Sequence, residues 1–196
     1  SLEIKRNVKQ YDCDKFSDEF INQITKILEK YDGVFVKTNI KSGKHYSKIF
    51  PSYTIIDVLT NLVFSKEVLQ SLLCDGPNYL VFREWNNNIS STNEFRIFIK
   101  NKQVQAASQQ FMNKPILLDD PLIVINAATV IWQQIKNTID YNDCVLDIYV
   151  KDESNYGLIE INSGNSWSTA GSALFDWDEL HNMSDKCFRY LIEKND

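Results

Sequence analysis

Two β-rich runs around one polar turn constrain this chain more than any other feature. Val145-Leu-Asp-Ile-Tyr-Val150 and Gly157-Leu-Ile-Glu-Ile-Asn162 flank the polar stretch 151–156, so residues 145–162 read as a β-hairpin. A turn centred on Glu153 and Ser154 sets Asp147 opposite Glu160. Alternation then gives one apolar face of Leu146, Ile148, Val150, Ile159 and Ile161, and a second face of Asp147, Tyr149, Glu160 and Asn162. Like charges directly opposite in a sheet repel. Either the two carboxylates splay into water, or a hard cation with oxygen ligands compensates them.

The rest of the chain supplies further elements of both kinds. Residues 16–31 carry a helical stripe of Phe20, Ile21, Ile24, Ile27 and Leu28, with Ser17 as N-cap and Gly33 as stop. Gly33-Val-Phe-Val-Lys37 is a short strand ending in lysine, followed by the polar loop Thr38-Asn-Ile-Lys-Ser-Gly-Lys-His45 with Lys44 near its end. Such a loop is either a solvated charge run or a cover for phosphates. Its spacing is not that of GxxxxGK[ST]. Residues 54–73 are helical with a break near Ser65, and Asp75-Gly76-Pro77 ends them. Tyr79-Leu-Val-Phe-Arg-Glu-Trp85 is the next strand. Arg83 shares a face with Val81 and Trp85 and, if buried, needs an anionic partner.

A second hairpin is expected from Glu94-Phe-Arg-Ile-Phe-Ile99, the turn Lys100-Asn-Lys-Gln103 and residues 104–109. Phe95, Ile97 and Ile99 share one face, and Glu94, Arg96 and Phe98 the other, with Gln105, Ala107 and Gln109 across from them. Arg96 either pairs with Glu94 or occupies a half-buried polar site. Residues 121–139 form an amphipathic helix with Ile125, Ala128, Trp132 and Ile135 on one side. After Asn162 comes a loop of small residues to Ser172, then Leu174-Phe-Asp-Trp-Asp-Glu-Leu180 and a final helix over 184–193.

Composition excludes several classes. A net charge of −5 argues against broad nucleic-acid binding, although a local basic pocket is compatible with it. Cys13, Cys74, Cys144 and Cys187 form no CxxC pair, which fits free thiols in a reducing, cytoplasmic setting. With only His45 and His181, a histidine-rich metal centre is not expected. No apolar run approaches the roughly 18–20 residues of a membrane span, and the opening Ser-Leu-Glu-Ile-Lys-Arg lacks the apolar core of a signal peptide.

Taken in order, the pieces resemble the ATP-grasp fold, an α+β architecture in which two small lobes with antiparallel sheets clasp a nucleotide. Glu160-Ile-Asn162 resembles that fold's magnesium motif. Within it the chain is most similar to the cell division cycle protein 123 family. Val34-Phe-Val-Lys37, Phe82-Arg-Glu-Trp85, Glu94-Phe-Arg-Ile-Phe-Ile-Lys-Asn101, Ser108-Gln109, Leu146-Asp-Ile-Tyr149, Glu160-Ile-Asn162 and 174–180 carry the resemblance. It implies an N-terminal lobe over 1–80 and a C-terminal lobe over 81–196. It implies ATP and Mg2+ as cofactors. Lys37 would contact the phosphates and the loop to Lys44 would cover them, residues 81–85 (with Glu84 and Trp85) would lie at the adenine as the hinge, and Arg83 and Arg96 would face the phosphates. Asp147, Glu160 and Asn162 would hold magnesium. It implies an assembly chaperone for the gamma subunit of translation initiation factor 2. A ligase acting on a protein or peptide through an acyl phosphate is the alternative, and a degenerate domain without nucleotide the third. Three departures stand out: Arg83-Glu84-Trp85 replaces Arg-Lys-Trp, Glu160-Ile-Asn162-Ser163 replaces Asp-x-Asn-Pro, and His45 stands where an acidic residue is usual.

Overall fold

The computed structural model describes residues 16–39, 50–73, 79–116, 118, 120–162 and 170–192. The chain divides into two compact units, Ser1–Asn86 and Asn87–Asp196.

In the first unit, helix α1 (Asp18–Lys30) begins where the Ser17 hydroxyl accepts the Phe20 amide at 3.2 Å. Asp18 and Glu19 in its first turn and Lys30 in its last complement the helix dipole. The chain then turns at Gly33, whose φ of +85° favours glycine and whose missing Cβ would approach Pro51 Cβ at 2.9 Å. Strand β1 (Val34–Thr38) follows, then helices α2 (Ile55–Val63) and α3 (Lys66–Leu72). The break near Ser65 is real: Ser65 is the N-cap of α3 and accepts the Val68 amide at 3.2 Å. Strand β2 (Leu80–Glu84) pairs antiparallel with β1, Phe35 opposite Arg83 and Lys37 opposite Val81. Strand 80–84 therefore belongs wholly to this unit, and the division falls after Asn86 rather than at residue 80.

Alternation sends Val34 and Val36 into a core with Ile24, Val58, Leu62 and Val68, against which Leu80 and Phe82 pack. The opposite face carries Phe35, Lys37, Val81 and Arg83. Arg83 is exposed, so it is not buried among the apolar residues of its strand. The apolar side of β2 is that of Leu80 and Phe82, and Arg83 alternates away from it.

The second unit is built on a five-stranded sheet of order β6-β5-β3-β4-β7. Its strands are β3 (Glu94–Lys100), β4 (Gln103–Gln109), β5 (Cys144–Val150), β6 (Tyr156–Asn162) and β7 (Cys187–Arg189). The β3–β4 turn is Asn101-Lys102, both at positive φ (50° and 58°), the backbone of a two-residue hairpin loop. Three bonds hold it: Asn101 N–H to Asp143 Oδ1 at 2.7 Å, Lys102 N–H to the Asn142 carbonyl at 2.8 Å, and the Trp132 indole N–H to the Lys102 carbonyl at 2.7 Å. Helix α4 (Leu122–Ile135) covers one face, burying Val124, Ala127, Ala128, Ile131 and Trp132 against Phe95, Ile97, Ile99, Leu146 and Ile148. A smaller core on the opposite face joins Phe98, Ala106 and Val145 to Ala170, Phe175 and Leu180, the last on helix α5 (Trp177–Asn182).

Three expectations need correction here. The final helix over 184–193 does not form in the described part: residues 187–189 are β7, parallel to β4 with Cys187 opposite Ala106 and Arg189 opposite Ser108. Tertiary pairing overrides local propensity, and Phe188 and Cys187 pack against opposite cores. The partners across from Arg96 and Phe98 are Ser108 and Ala106, not Gln105, Ala107 and Gln109. The two-residue turn sets that register, and a bulge between Phe98 and Ile99 shifts it. In the β5–β6 hairpin, Asp147 does face Glu160, but Ile148 pairs with Leu158. Ile159 is the extra residue of a bulge and leaves the apolar row.

Candidate functional site

Strand register alone assembles a polar row across the sheet. Glu160 on β6 is opposite Asp147 on β5, Asp147 opposite Arg96 on β3, Arg96 opposite Ser108 on β4, and Ser108 opposite Arg189 on β7. All lie on the face away from α4, because their neighbours in each strand point into the α4 core.

At its centre is a buried ion pair. Arg96 Nε donates to Asp147 Oδ1 at 2.8 Å, and Arg96 Nη2 donates to Oδ2 at 2.9 Å. The two side chains are only 10% and 9% exposed. The third guanidinium branch, Nη1, donates to the Gly171 carbonyl at 2.8 Å. Asn162 Nδ2 donates to Asp147 Oδ2 at 3.3 Å. The charge conflict between Asp147 and Glu160 is thus met inside the chain, by a bidentate arginine. Of the two partners foreseen for Arg96, the polar site is the one observed, and its carboxylate is Asp147 rather than Glu94.

Segment 170–176 is fastened to the same face. Besides the Arg96–Gly171 bond, the Leu174 N–H donates to Ser108 Oγ at 3.1 Å and Arg189 Nη1 donates to the Leu174 carbonyl at 3.1 Å. Arg189 is also paired through both nitrogens with Glu179 and lies 4.3 Å over the Phe175 ring. The hydrogen-bonded Glu179 carboxylate favours the charged guanidinium and raises its pKa above the ordinary value. Gln109, next to Ser108, is structural: its Nε2 donates to the carbonyls of Phe111 and Lys114, and its Oε1 accepts the Leu191 N–H.

Of the residues singled out in the sequence, Arg96, Asp147, Glu160 and Asn162 come together on one face. Lys37, Arg83, Glu84 and Trp85 lie in the first unit, where Lys37 and Arg83 share a face with Phe35. Trp85 stacks with Phe50 at 6.3 Å and 3°, and Phe50 contacts Phe35 at 4.8 Å. Lys44 lies outside the described residues, as do 163–169 of the small-residue loop. Sequence reasoning missed Gly171 and Arg189. Gly171 acts through its backbone carbonyl, which no residue pattern announces, and Arg189 lies in the stretch read as a helix.

The donor set suits a hard cation in part. Glu160, Asn162 and Asp147 are oxygen ligands of the type magnesium takes. Asp147 Oδ2 already accepts two hydrogen bonds and Oδ1 one, so Asp147 retains a lone pair on Oδ1 for a single further contact.

A mixed α+β unit with this row across its sheet defines the class, and the sequence profile of the D123 family matches residues 52–195. The chain belongs to the D123 family. It is 26% identical over 183 residues to a putative CDC123-like protein of Acanthamoeba polyphaga mimivirus, covering 84% of this chain and 54% of that one. It is 29% identical over 182 residues to a translation initiation factor eIF2 assembly protein of Dictyostelium discoideum, covering 83% and 47%. The chain spans about half the length of these curated relatives. The structure of Cdc123 from Schizosaccharomyces pombe superposes with a TM-score of 0.74 at 24% identity, over 88% of this chain and 78% of that one. Its C-terminally truncated form gives 0.70 at 22%. At those identities the likeness is one of fold. Among the described residues no helix is long and apolar enough to cross a membrane.

Proposed function

We propose that this chain is an ATP-dependent assembly factor for translation initiation factor eIF2, engaging its gamma subunit in the cytoplasm and holding Mg–ATP in an ATP-grasp manner. The observation that carries the reading is the row Arg96–Asp147–Glu160–Asn162 in a D123 protein, one of whose relatives bears the eIF2 assembly name. Glu160, Asn162 and the remaining lone pair of Asp147 would hold the cation. When bound, magnesium supplies charge neutralisation and orientation of phosphate oxygens.

The chain's own part is preorganisation. Arg96 fixes Asp147 through two bonds, and Asn162 fixes it through a third. Burial in a low-dielectric face strengthens each of these contacts. Lys37, Lys44, Arg83, Glu84 and Trp85 are the first unit's proposed contribution to nucleotide binding. The acidic Glu84 would make the base contact there depend on backbone groups and Trp85 rather than on a lysine.

Calorimetric titration with ATP, with and without magnesium, tests the reading. Magnesium-dependent binding that is lost in Glu160→Gln supports it, and a pull-down with the eIF2 gamma subunit then tests the partner. Equal affinity with and without magnesium, or in wild type and Glu160→Gln, sinks the cation assignment. Multiple turnover of ATP with a protein acceptor would move the reading to the ligase class.

A further inference from the structure

Arg96 is held by more than Asp147. Its Nη1 donates to the Gly171 carbonyl at 2.8 Å, and a Cβ on Gly171 would stand 3.2 Å from that nitrogen, so the strap 170–176 lies against the guanidinium. Ala170 and Phe175, both buried in the smaller core, anchor the strap on either side. Between these anchors Ala173 has a φ of +53°, a left-handed conformation disfavoured for any residue with a Cβ. A backbone in that state persists only where its surroundings over-determine it.

Leu174, the next residue, supplies the restraint. Its N–H donates to Ser108 Oγ and its carbonyl accepts from Arg189 Nη1, each at 3.1 Å. Ser108 is fully buried on β4, opposite Arg96. Arg189 reaches in from β7, the edge strand farthest from β6. Its guanidinium is oriented from two sides. Nη1 donates to Glu179 Oε2 at 2.7 Å and Nη2 pairs with Glu179 Oε1, while its carbon lies 4.3 Å over the Phe175 ring.

The Arg189 and Glu179 side chains are 37% and 38% exposed. An ion pair so exposed adds little to global stability. Its consequence is local: it aims a guanidinium at the Leu174 carbonyl. The connection then runs from the sheet edge to its centre. Glu179 orients Arg189, Arg189 holds Leu174, and the strap carries this to the Gly171 carbonyl, which takes the third branch of Arg96. Arg96 in turn fixes both oxygens of Asp147.

We propose that Arg189 is a positioning residue for the Arg96–Asp147 pair. By holding the strap in its left-handed turn it keeps the Gly171 carbonyl on Arg96, and so keeps the Asp147 carboxylate set beside Glu160. The consequence for ligand binding rests on the cation site proposed above, whereas the coupling from Arg189 to Arg96 does not.

The test is hydrogen exchange at the Arg96 Nε–H, followed in 1H–15N spectra of the whole chain. Arg189→Met keeps the aliphatic stem over Phe175 and removes the guanidinium. Exchange at Arg96 Nε should quicken about tenfold, the effect of one lost hydrogen bond on a local opening. The backbone amides of β3 and β5 should stay within about twofold, which a general loss of stability would not allow. Adding Ala173→Gly to Arg189→Met should recover most of the protection, because glycine adopts positive φ without the Cβ penalty. Arg189→Met should also weaken magnesium-dependent ATP binding and leave magnesium-free binding unchanged. Unchanged exchange at Arg96, quickening shared equally by the β3 and β5 amides, or no recovery with Ala173→Gly overturns the coupling. Quickened exchange with magnesium dependence intact overturns the role at the cation site. Wild type without magnesium-dependent binding overturns the cation reading, and the exchange at Arg96 still decides the coupling.

Discussion

Arg96→Met isolates the centre of the polar row. Methionine keeps most of the aliphatic stem and removes the guanidinium. Asp147, itself 7% exposed, would then stand opposite Glu160 with only Asn162 donating to it among the bonds described above. Charges about 4 Å apart interact by about 4 kcal/mol at an effective dielectric constant near 20. Breaking a buried pair by removing one partner typically costs about 3–5 kcal/mol. The lost bond to the Gly171 carbonyl adds about 1 kcal/mol or more. The second unit should therefore lose about 4–6 kcal/mol, a large share of a total near 5–15 kcal/mol.

Urea unfolding followed by circular dichroism and tryptophan fluorescence measures the loss. Asp147→Leu should cost a similar amount, because it strands Arg96. The pair Arg96→Met with Asp147→Leu should cost far less than the sum, since an apolar substitute for a buried ion pair is often near neutral. Losses under about 1 kcal/mol in both single variants, or full additivity in the double variant, would refute the buried-pair reasoning. This cost also decides which variant reports on cation binding. Asp147→Ala confounds ligand loss with instability, whereas Glu160 is partly exposed on the edge strand β6 and Glu160→Gln perturbs the fold less.

Thr54→Ala removes the capping box of α2, in which Thr54 Oγ1 accepts the Asp57 N–H at 3.1 Å and Asp57 Oδ2 accepts the Thr54 N–H at 3.0 Å. It should cost about 1 kcal/mol, read as a lowered urea midpoint for the first unit. Gly157→Val should destabilise the second unit by more than about 1 kcal/mol, because a Cβ there meets the Tyr149 ring at 2.8 Å. Most of that loss should vanish in a Tyr149→Ser background, and an unchanged loss would show that the ring is not the obstacle. Burial pushes the Cys144 thiol up from 9.0 to about 11. The folded state then keeps a proton that the unfolded state releases, so the stabilisation is whole below pH 9 and falls as pH rises toward 11. Between those values wild type should lose up to about 2 kcal/mol relative to Cys144→Ala, and iodoacetamide should label Cys144 in the native chain far more slowly than after unfolding.

The polar row explains why some of this molecule could be read from sequence and some could not. Local chemistry fixed what was legible. Ser17 and Ser65 cap helices with their own hydroxyls, and the turn at 151–155 closes on Asp152, so both hairpins and the Asp147–Glu160 pairing follow from nearby residues. Two bulges, one in each hairpin, broke the simple alternation, because an extra residue changes facing without changing composition. Strand β7 was hidden for a different reason: its partner, β4, is about 80 residues away, and parallel pairing at that distance leaves no periodic trace. The site followed the same division. That Asp147 and Glu160 conflict was visible in the hairpin, but that Arg96 resolves the conflict depends on β3 lying beside β5. An acidic pair in a sheet thus says that a positive charge must be near. Only the strand order says whether the chain supplies it, and here the chain does, leaving Glu160 and Asn162 at the edge as the groups on which a bound cation would most depend.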